Sequence, residues 1–277
     1  MQPSTDGADG TSNETAPRGS AGRLNTAVDH GVAWIELDNP DKLNAISVNM
    51  WRQLIAALGS YEKDTGVRCV VLAGKGAKAF CTGADIAEKE VAGADAADNE
   101  ALALEGLSHL RAFSKPIIAA INGYCLGAGL ALATVCDLRV AGKSARFGIP
   151  AARLGLAVYY DVLVRIARLI GPSKAKWLLF TADRIKADEA LRAGLIDREV
   201  ADEEVNGVVR ELAIRIAGNA PMTIATAKSA IDMAFMDPAD RNMAAYLERE
   251  RACYESEDFV EGRRAFLEKR RPDFKGR

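Results

Sequence analysis

The sequence predicts an α/β protein on a largely parallel sheet, with a helical C-terminal part. Two patterns carry this: short apolar runs alternate with segments of helical period through the first half, and beyond about Asp161 the pattern is helical almost throughout. The length of 277 residues suits one main core with a smaller extension. The expected divisions are a tail over 1–22, a core over 23–202 and a C-terminal helical oligomerisation region over 203–277.

Residues 1–22 are rich in Ser, Thr, Gly, Asp, Asn and Pro and have almost nothing to bury, so ordering them would cost entropy without return. The Asn13-Glu14-Thr15 sequon within them has no meaning in a cytosolic protein. From Gly31 the run Gly-Val-Ala-Trp-Ile-Glu-Leu-Asp reads as a strand, ended by the turn-forming Asn39-Pro40-Asp41. Ser47 can cap a helix whose apolar positions Met50, Trp51, Leu54, Leu58 and Tyr61 follow a helical period. Val67–Ala73 is a second strand, and a helix around Ala101–Phe113 leads into a third at Pro116–Asn122. After Gly123, Gly127 and Gly129 come a helix of small residues, Leu130–Cys136, and short strands at Leu138–Ala141 and Ala145–Gly148. In the C-terminal part Val205, Val208, Val209, Leu212 and Ile216 form one stripe. Ile224, Ala227, Ile231 and Phe235 form a second, and Met243, Tyr246, Leu247 and Tyr254 a third. Stripes this thin need something to pack on, which points to an oligomer.

Composition narrows the function. Net charge is −2, with 36 basic and 38 acidic residues mixed along the chain, which argues against nucleic acid or a membrane surface as partner. The five cysteines, Cys69, Cys81, Cys125, Cys136 and Cys253, show no C-x-x-C spacing and fit buried reduced thiols in a cytoplasm better than disulfides or a metal site. No apolar run reaches the length of a membrane span, and the N-terminus has neither a basic start nor an apolar h-region.

Two segments have the backbone character of an anion site. In Phe80-Cys-Thr-Gly-Ala-Asp-Ile86, Gly83 lets the chain turn so that the Ala84 N–H can point into a cavity. Asn122-Gly-Tyr-Cys-Leu-Gly-Ala-Gly129 directly precedes a helix, whose first N–H groups are unpaired and whose dipole favours negative charge. Two such donors converging on one oxygen form an oxyanion hole. Taken alone, each segment is also what tight packing looks like. The Gly-Ala-Gly run lacks the rest of a dinucleotide fingerprint and the Lys-Ser/Thr of a phosphate loop.

In combination the segments resemble the enoyl-CoA hydratase/isomerase (crotonase) superfamily. Asp41-Lys-Leu-Asn-Ala-Ile46, Phe80–Ile86, Lys115–Gly123, Leu126-Gly-Ala-Gly129, Cys136-Asp137, Phe147-Gly-Ile-Pro150 and Leu154-Gly155 stand in that family's order and spacing, from about Gly31 to Arg277. The resemblance implies a ClpP/crotonase-like spiral of ββα repeats and a C-terminal helical trimerisation region, giving a homotrimer or a dimer of trimers. It implies an acyl-CoA thioester as partner, with CoA carried by the substrate and neither further cofactor nor metal. Oxyanion donors fall on the N–H groups of Ala84 and Ala128. CoA and substrate contacts fall on Lys42, Leu43, Ala45, Asp85, Ile86, Gly127, Pro150, Ala151 and Leu154, with Phe266 and Lys269 able to reach a neighbour's CoA.

The sequence departs from the hydratase pattern where the family's two glutamates stand, at Ala131 and Ala151. A methyl group cannot move a proton. Tyr159 stands where dehalogenase relatives place an aspartate nucleophile, and Tyr160 and Asp161 follow it; methylmalonyl-CoA decarboxylase relatives put a tyrosine where this chain has Val158. Tyr159 and Asp161 are therefore the candidates for proton transfer. They also read as an amphipathic residue and a dipole-favoured carboxylate at a helix start. His109 reads as a surface histidine, Asp137 as a backbone-bonding carboxylate, Glu88-Lys89-Glu90 as a solvated run, and Arg153 as surface or carboxylate clamp. Three functions follow: an acyl-CoA enzyme working through the thioester enolate, an acyl-CoA decarboxylase, which needs no obligatory first base, and a non-catalytic CoA-thioester binder.

Overall fold

A computed structural model describes residues 22–85 and 96–277. The tail expected over 1–22, its terminal Gly22 apart, lies outside the described residues, as do Ile86 and the Glu88-Lys89-Glu90 run.

The chain builds two sheets by turns. In the first, six strands lie in the order β1 (Arg23–Asp29), β2 (Val32–Asp38), β3 (Cys69–Gly74), β5 (Ile117–Ile121), β7 (Leu138–Gly142) and β10 (Arg198–Val200). The second orders β4 (Ala79–Cys81), β6 (Tyr124–Leu126), β8 (Arg146–Gly148) and β9 (Ile185–Lys186). Between β2 and β3 runs helix α1 (Val48–Lys63). Then β3-β4, β5-β6 and β7-β8 each give one strand to either sheet. Each pair is followed by a helix: α2 (Ala96–Ala112), α3 (Ala128–Val135) and α4 (Ala151–Leu154). These are three turns of a ββα spiral, the crotonase fold. Among the described residues, only the β1–β2 and β8–β9 pairings are antiparallel.

Period-two alternation explains the apolar strands. Val70 and Leu72 of β3, with Ile117, Ala119 and Ile121 of β5, face the core between the sheets and helices, while Cys69, Val71, Ile118 and Ala120 face the other side. That other side is covered by α8 (Val205–Ala217), through Val205, Val209, Ala213 and Ala217. The first C-terminal stripe is thus spent on the chain's own sheet rather than left for another copy. This corrects the reading that all three stripes await a partner.

α1 begins as its sequence suggests, with the Ser47 side chain accepting from the Met50 amide at 3.2 Å, and it buries Met50, Trp51, Leu54 and Leu58. After α4 come α5 (Tyr160–Ile170), α6 (Pro172–Thr181) and α7 (Ala187–Ala193). After α8 come α9 (Pro221–Ala234), α10 (Met243–Glu255) and α11 (Glu257–Glu268). Ile231, Phe235, Met243, Leu247 and Tyr254 of the second and third stripes remain exposed. The cysteines are free thiols; four are buried and Cys253 is half-buried. No helix among the described residues is long and apolar enough to cross a membrane.

Candidate functional site

The site is assembled from three loops at the ends of strands. The first follows β2. Leu43 and Asn44 adopt left-handed backbone (φ 51° and 57°), and the buried Asn44 side chain pins them. Its Oδ1 accepts from the Asn39 amide, and its Nδ2 donates to the carbonyls of Lys75 and Ala79 at 3.0 and 2.7 Å. Asn39 Nδ2 donates to the Ala45 carbonyl at 2.9 Å.

Ile46 then forms a parallel bridge with Ala84: its amide donates to the Gly83 carbonyl at 2.8 Å, and its carbonyl accepts from Asp85 N–H at 3.0 Å. In this pairing the neighbours of Ala84 supply both bonds, so its own N–H points to the opposite side. Among the described residues it donates to nothing.

The third loop enters α3. Gly127, at φ 54° and ψ −120°, holds a conformation that a side chain strains, and its amide donates to the Gly148 carbonyl at 2.9 Å. Ala128 is the first residue of α3, so its N–H has no intrahelical acceptor. The two glycine turns touch: a Cβ on Gly127 would lie 3.5 Å from the Gly83 Cα, and one on Gly83 would lie 4.0 Å from the Ala128 nitrogen. Gly129 brings α3 against β4 so closely that a Cβ there would stand 2.1 Å from the Cys81 carbonyl oxygen. Two unpaired amides on adjoining turns, one at a helix N-terminus, can stabilise an oxygen that gains negative charge.

Beside this pair the structure brings Lys42, Leu43, Ala45 and Asp85, with Gly127 in the second turn. Lys42 Nζ pairs with the buried Asp85 carboxylate at 2.6 Å, and Thr82 Oγ1 donates to the Lys42 and Leu43 carbonyls, each at 3.2 Å. Ala45 is buried and Leu43 is partly open. Ala131 lies in the buried wall formed by α3, and Pro150 and Ala151 begin α4, half-buried. Leu154 is exposed. Arg153 reaches Asp183 at 2.7 Å, which makes it a surface ion pair. Phe266 and Lys269 stand elsewhere. Phe266 lines an apolar cavity of about 660 Å³ between α9, α10 and α11, whose lining includes none of the two glycine turns, and Lys269 ends α11 with left-handed backbone.

The proton-transfer candidates separate. Asp161 is exposed and paired with Arg111 at 2.8 Å, and Tyr160 is exposed. Tyr159 is half-buried against the main core. Burial, with the Glu100 carboxylate facing its hydroxyl, pushes its pKa up to about 12. Glu100 was not among the residues singled out, for it sits in a polar stretch and meets Tyr159 only through tertiary folding. His109 lies at the surface, 3.7 Å from Glu105. Asp137 accepts from the Ile117 amide and pairs with Lys228, a structural role. No three His, Cys, Asp or Glu side chains among the described residues are placed to hold a metal ion.

Comparison with known proteins bears on the family. The family model described as enoyl-CoA hydratase/isomerase matches residues 27–277. The short-chain-enoyl-CoA hydratase of Clostridium acetobutylicum is 37% identical over 248 residues, covering 89% of this chain and 95% of that protein. The crotonyl-CoA hydratase of Syntrophomonas wolfei is 35% identical over 244 residues, covering 88% and 94%. Among solved structures, an enoyl-CoA hydratase/carnithine racemase from Magnetospirillum magneticum superposes with a TM-score of 0.87 at 34% identity, over 93% of this chain and 97% of that one. The chain belongs to the enoyl-CoA hydratase/isomerase family.

Proposed function

We propose that the protein binds an acyl-CoA thioester and stabilises its enolate, with the thioester oxygen accepting from the Ala84 and Ala128 amides. The observation that carries this reading is the pair of amides, without partners among the described residues, on two adjoining glycine turns. As negative charge grows on the oxygen, both donors and the α3 dipole strengthen their hold on it, which lowers the barrier to forming the enolate rather than merely binding the ground state. Lys42, Leu43, Ala45 and Asp85, next to Ala84, are the groups positioned to hold CoA. The CoA hydratases among the relatives support the substrate class.

Decarboxylation is a second reading, favoured by the apolar wall: every residue of α3 from Gly129 to Val135 is buried, and Ala131 and Ala151 offer no carboxylate to activate water. The exposed apolar residues of α9 and α10 support self-association, with a homotrimer or a dimer of trimers as the expected unit, and a cytoplasmic setting suits the free thiols. Titration calorimetry with crotonyl-CoA and butyryl-CoA tests the binding, and turnover of malonyl-type thioesters beside enoyl-CoA separates the reactions. Absence of binding to any acyl-CoA contradicts the proposal.

A further inference from the structure

Among the described residues, the two hydrophobic clusters of the molecule contain no side chain beyond Ala217, the last residue of α8. The segment that follows, from Pro221 to the end, is stitched to itself. The Asp258 carboxylate, only 4% exposed, accepts from the Lys275 and Gly276 amides at 2.6 and 2.8 Å, which folds the chain end back on α11. Glu261 accepts from the Asp273 amide at 2.9 Å and pairs with Arg270. Phe274 then closes one wall of the cavity between α9, α10 and α11. α9 and α10 bury no residue completely, and α11 buries only Asp258 and Ala265. No shared apolar core therefore holds this arm on the rest of the chain.

Among the described residues, three cationic side chains make the hydrogen bonds that cross between arm and core. Lys228 of α9 has a side chain only 12% exposed, and its Nζ donates to the Asp137 carboxylate at 2.8 Å and to the Lys115 carbonyl at 3.0 Å, just before β7 and β5. Arg68, ahead of β3, donates to the Phe274 carbonyl at 2.7 Å. Arg168 of α5 donates to the Phe235 carbonyl at 2.7 Å and lies over its ring, in an exposed place. Water competes for that exposed bond, whereas the two bonds of the Lys228 ammonium are charge-assisted and sheltered. We infer that α9–α11 and the chain end form an arm that opens from the core as one unit while the two sheets stay folded, and that Lys228 is its main latch. Opening breaks a few polar contacts and leaves both apolar clusters whole. An undocked arm of this size, built around a cavity, has too little interior of its own to keep its helices closed, so docking and amide protection are lost together. The inference is independent of the enolate reading.

The test is native-state hydrogen exchange of the full chain, read by mass spectrometry across low urea concentrations. In the wild type, amides of α9, α10 and α11 are expected to share one urea slope, shallower than that of β3 and β5, and to exchange sooner. Lys228→Met keeps the apolar stem and should speed exchange in the arm by about 10–100-fold. Arg168→Met should speed it by less than about fivefold. Asp137→Asn leaves Lys228 the Lys115 carbonyl and leaves the Ile117 amide an acceptor, so its effect should lie between those of the other two variants. Arm amides that follow the slope of β3 and β5, or that each follow a slope of their own, overturn the opening unit. Arm exchange that is the same in Lys228→Met as in the wild type overturns the latch, and should Lys228→Met fail to fold, Asp137→Asn carries the same comparison.

Discussion

Gly129→Ala probes the contact that brings the two amides together. The new Cβ would stand 2.1 Å from the Cys81 carbonyl oxygen and 2.8 Å from its carbon, whereas ordinary contact begins at 3.4 Å. Neither neighbour is a flexible side-chain end, so the start of α3 and β4 must part by roughly 1 Å, and Ala128 moves with α3; a misplacement of that size costs about 10²-fold in rate. Complete loss of one oxyanion donor costs about 10²–10³-fold, which sets the upper bound, and overpacking adds about 1–3 kcal/mol of instability. The assay is α-proton exchange of butyryl-CoA together with urea unfolding. Gly59→Ala is the control: it lies in α1 with nothing within 4 Å, and it is expected to gain about 0.5–1 kcal/mol of stability and leave exchange unchanged. Gly129→Ala protein with wild-type exchange and wild-type stability refutes the reasoning.

Four other outcomes are expected. Ala131 is only 6% exposed in an all-buried helix, so Ala131→Glu should cost more than about 2 kcal/mol in unfolding experiments, while Ala151→Glu, half-buried at a helix start, should stay within about 0.5 kcal/mol. If the pair folds, Ala131→Glu/Ala151→Glu should raise crotonyl-CoA hydration by at least about 10²-fold. Lys42→Met leaves the Asp85 carboxylate without the partner it holds at 2.6 Å, which predicts weaker crotonyl-CoA binding and a stability loss of about 1–3 kcal/mol, partly recovered by adding Asp85→Asn. Arg270, with the Asp273 amide, holds Glu261 at about 2 against an ordinary 4.5. The folded-state value is depressed, so this contribution is complete above 4.5 and lost as pH falls through about 2. Amide exchange in α11 should rise over that window, and Arg270→Met should remove the dependence.

Much of the fold was legible because burial on both faces leaves an unmistakable mark. β3 and β5 are apolar at every position since one sheet face meets the inner core and the other meets α8. Ser47 declared the start of α1 through its side-chain oxygen. β1 escaped notice because it is a polar edge strand, mostly exposed and paired only with β2. β9 and β10 are too short to show a period. α2 begins at Ala96, earlier than its apolar residues suggest. At the site, the glycines at 83, 127 and 129 were readable, since positive φ at Gly83 and Gly127 and close backbone approach at Gly129 disfavour side chains there. The approach of Glu100 to Tyr159 was not, because it depends on two helices packing on a third.

The most direct test is a crystal structure of the protein with a saturated or enoyl-CoA thioester bound. The thioester oxygen should lie about 2.7–3.1 Å from both the Ala84 and Ala128 nitrogens, the distance at which oxyanion donors act. A bound acyl-CoA whose carbonyl points away from both amides contradicts the account.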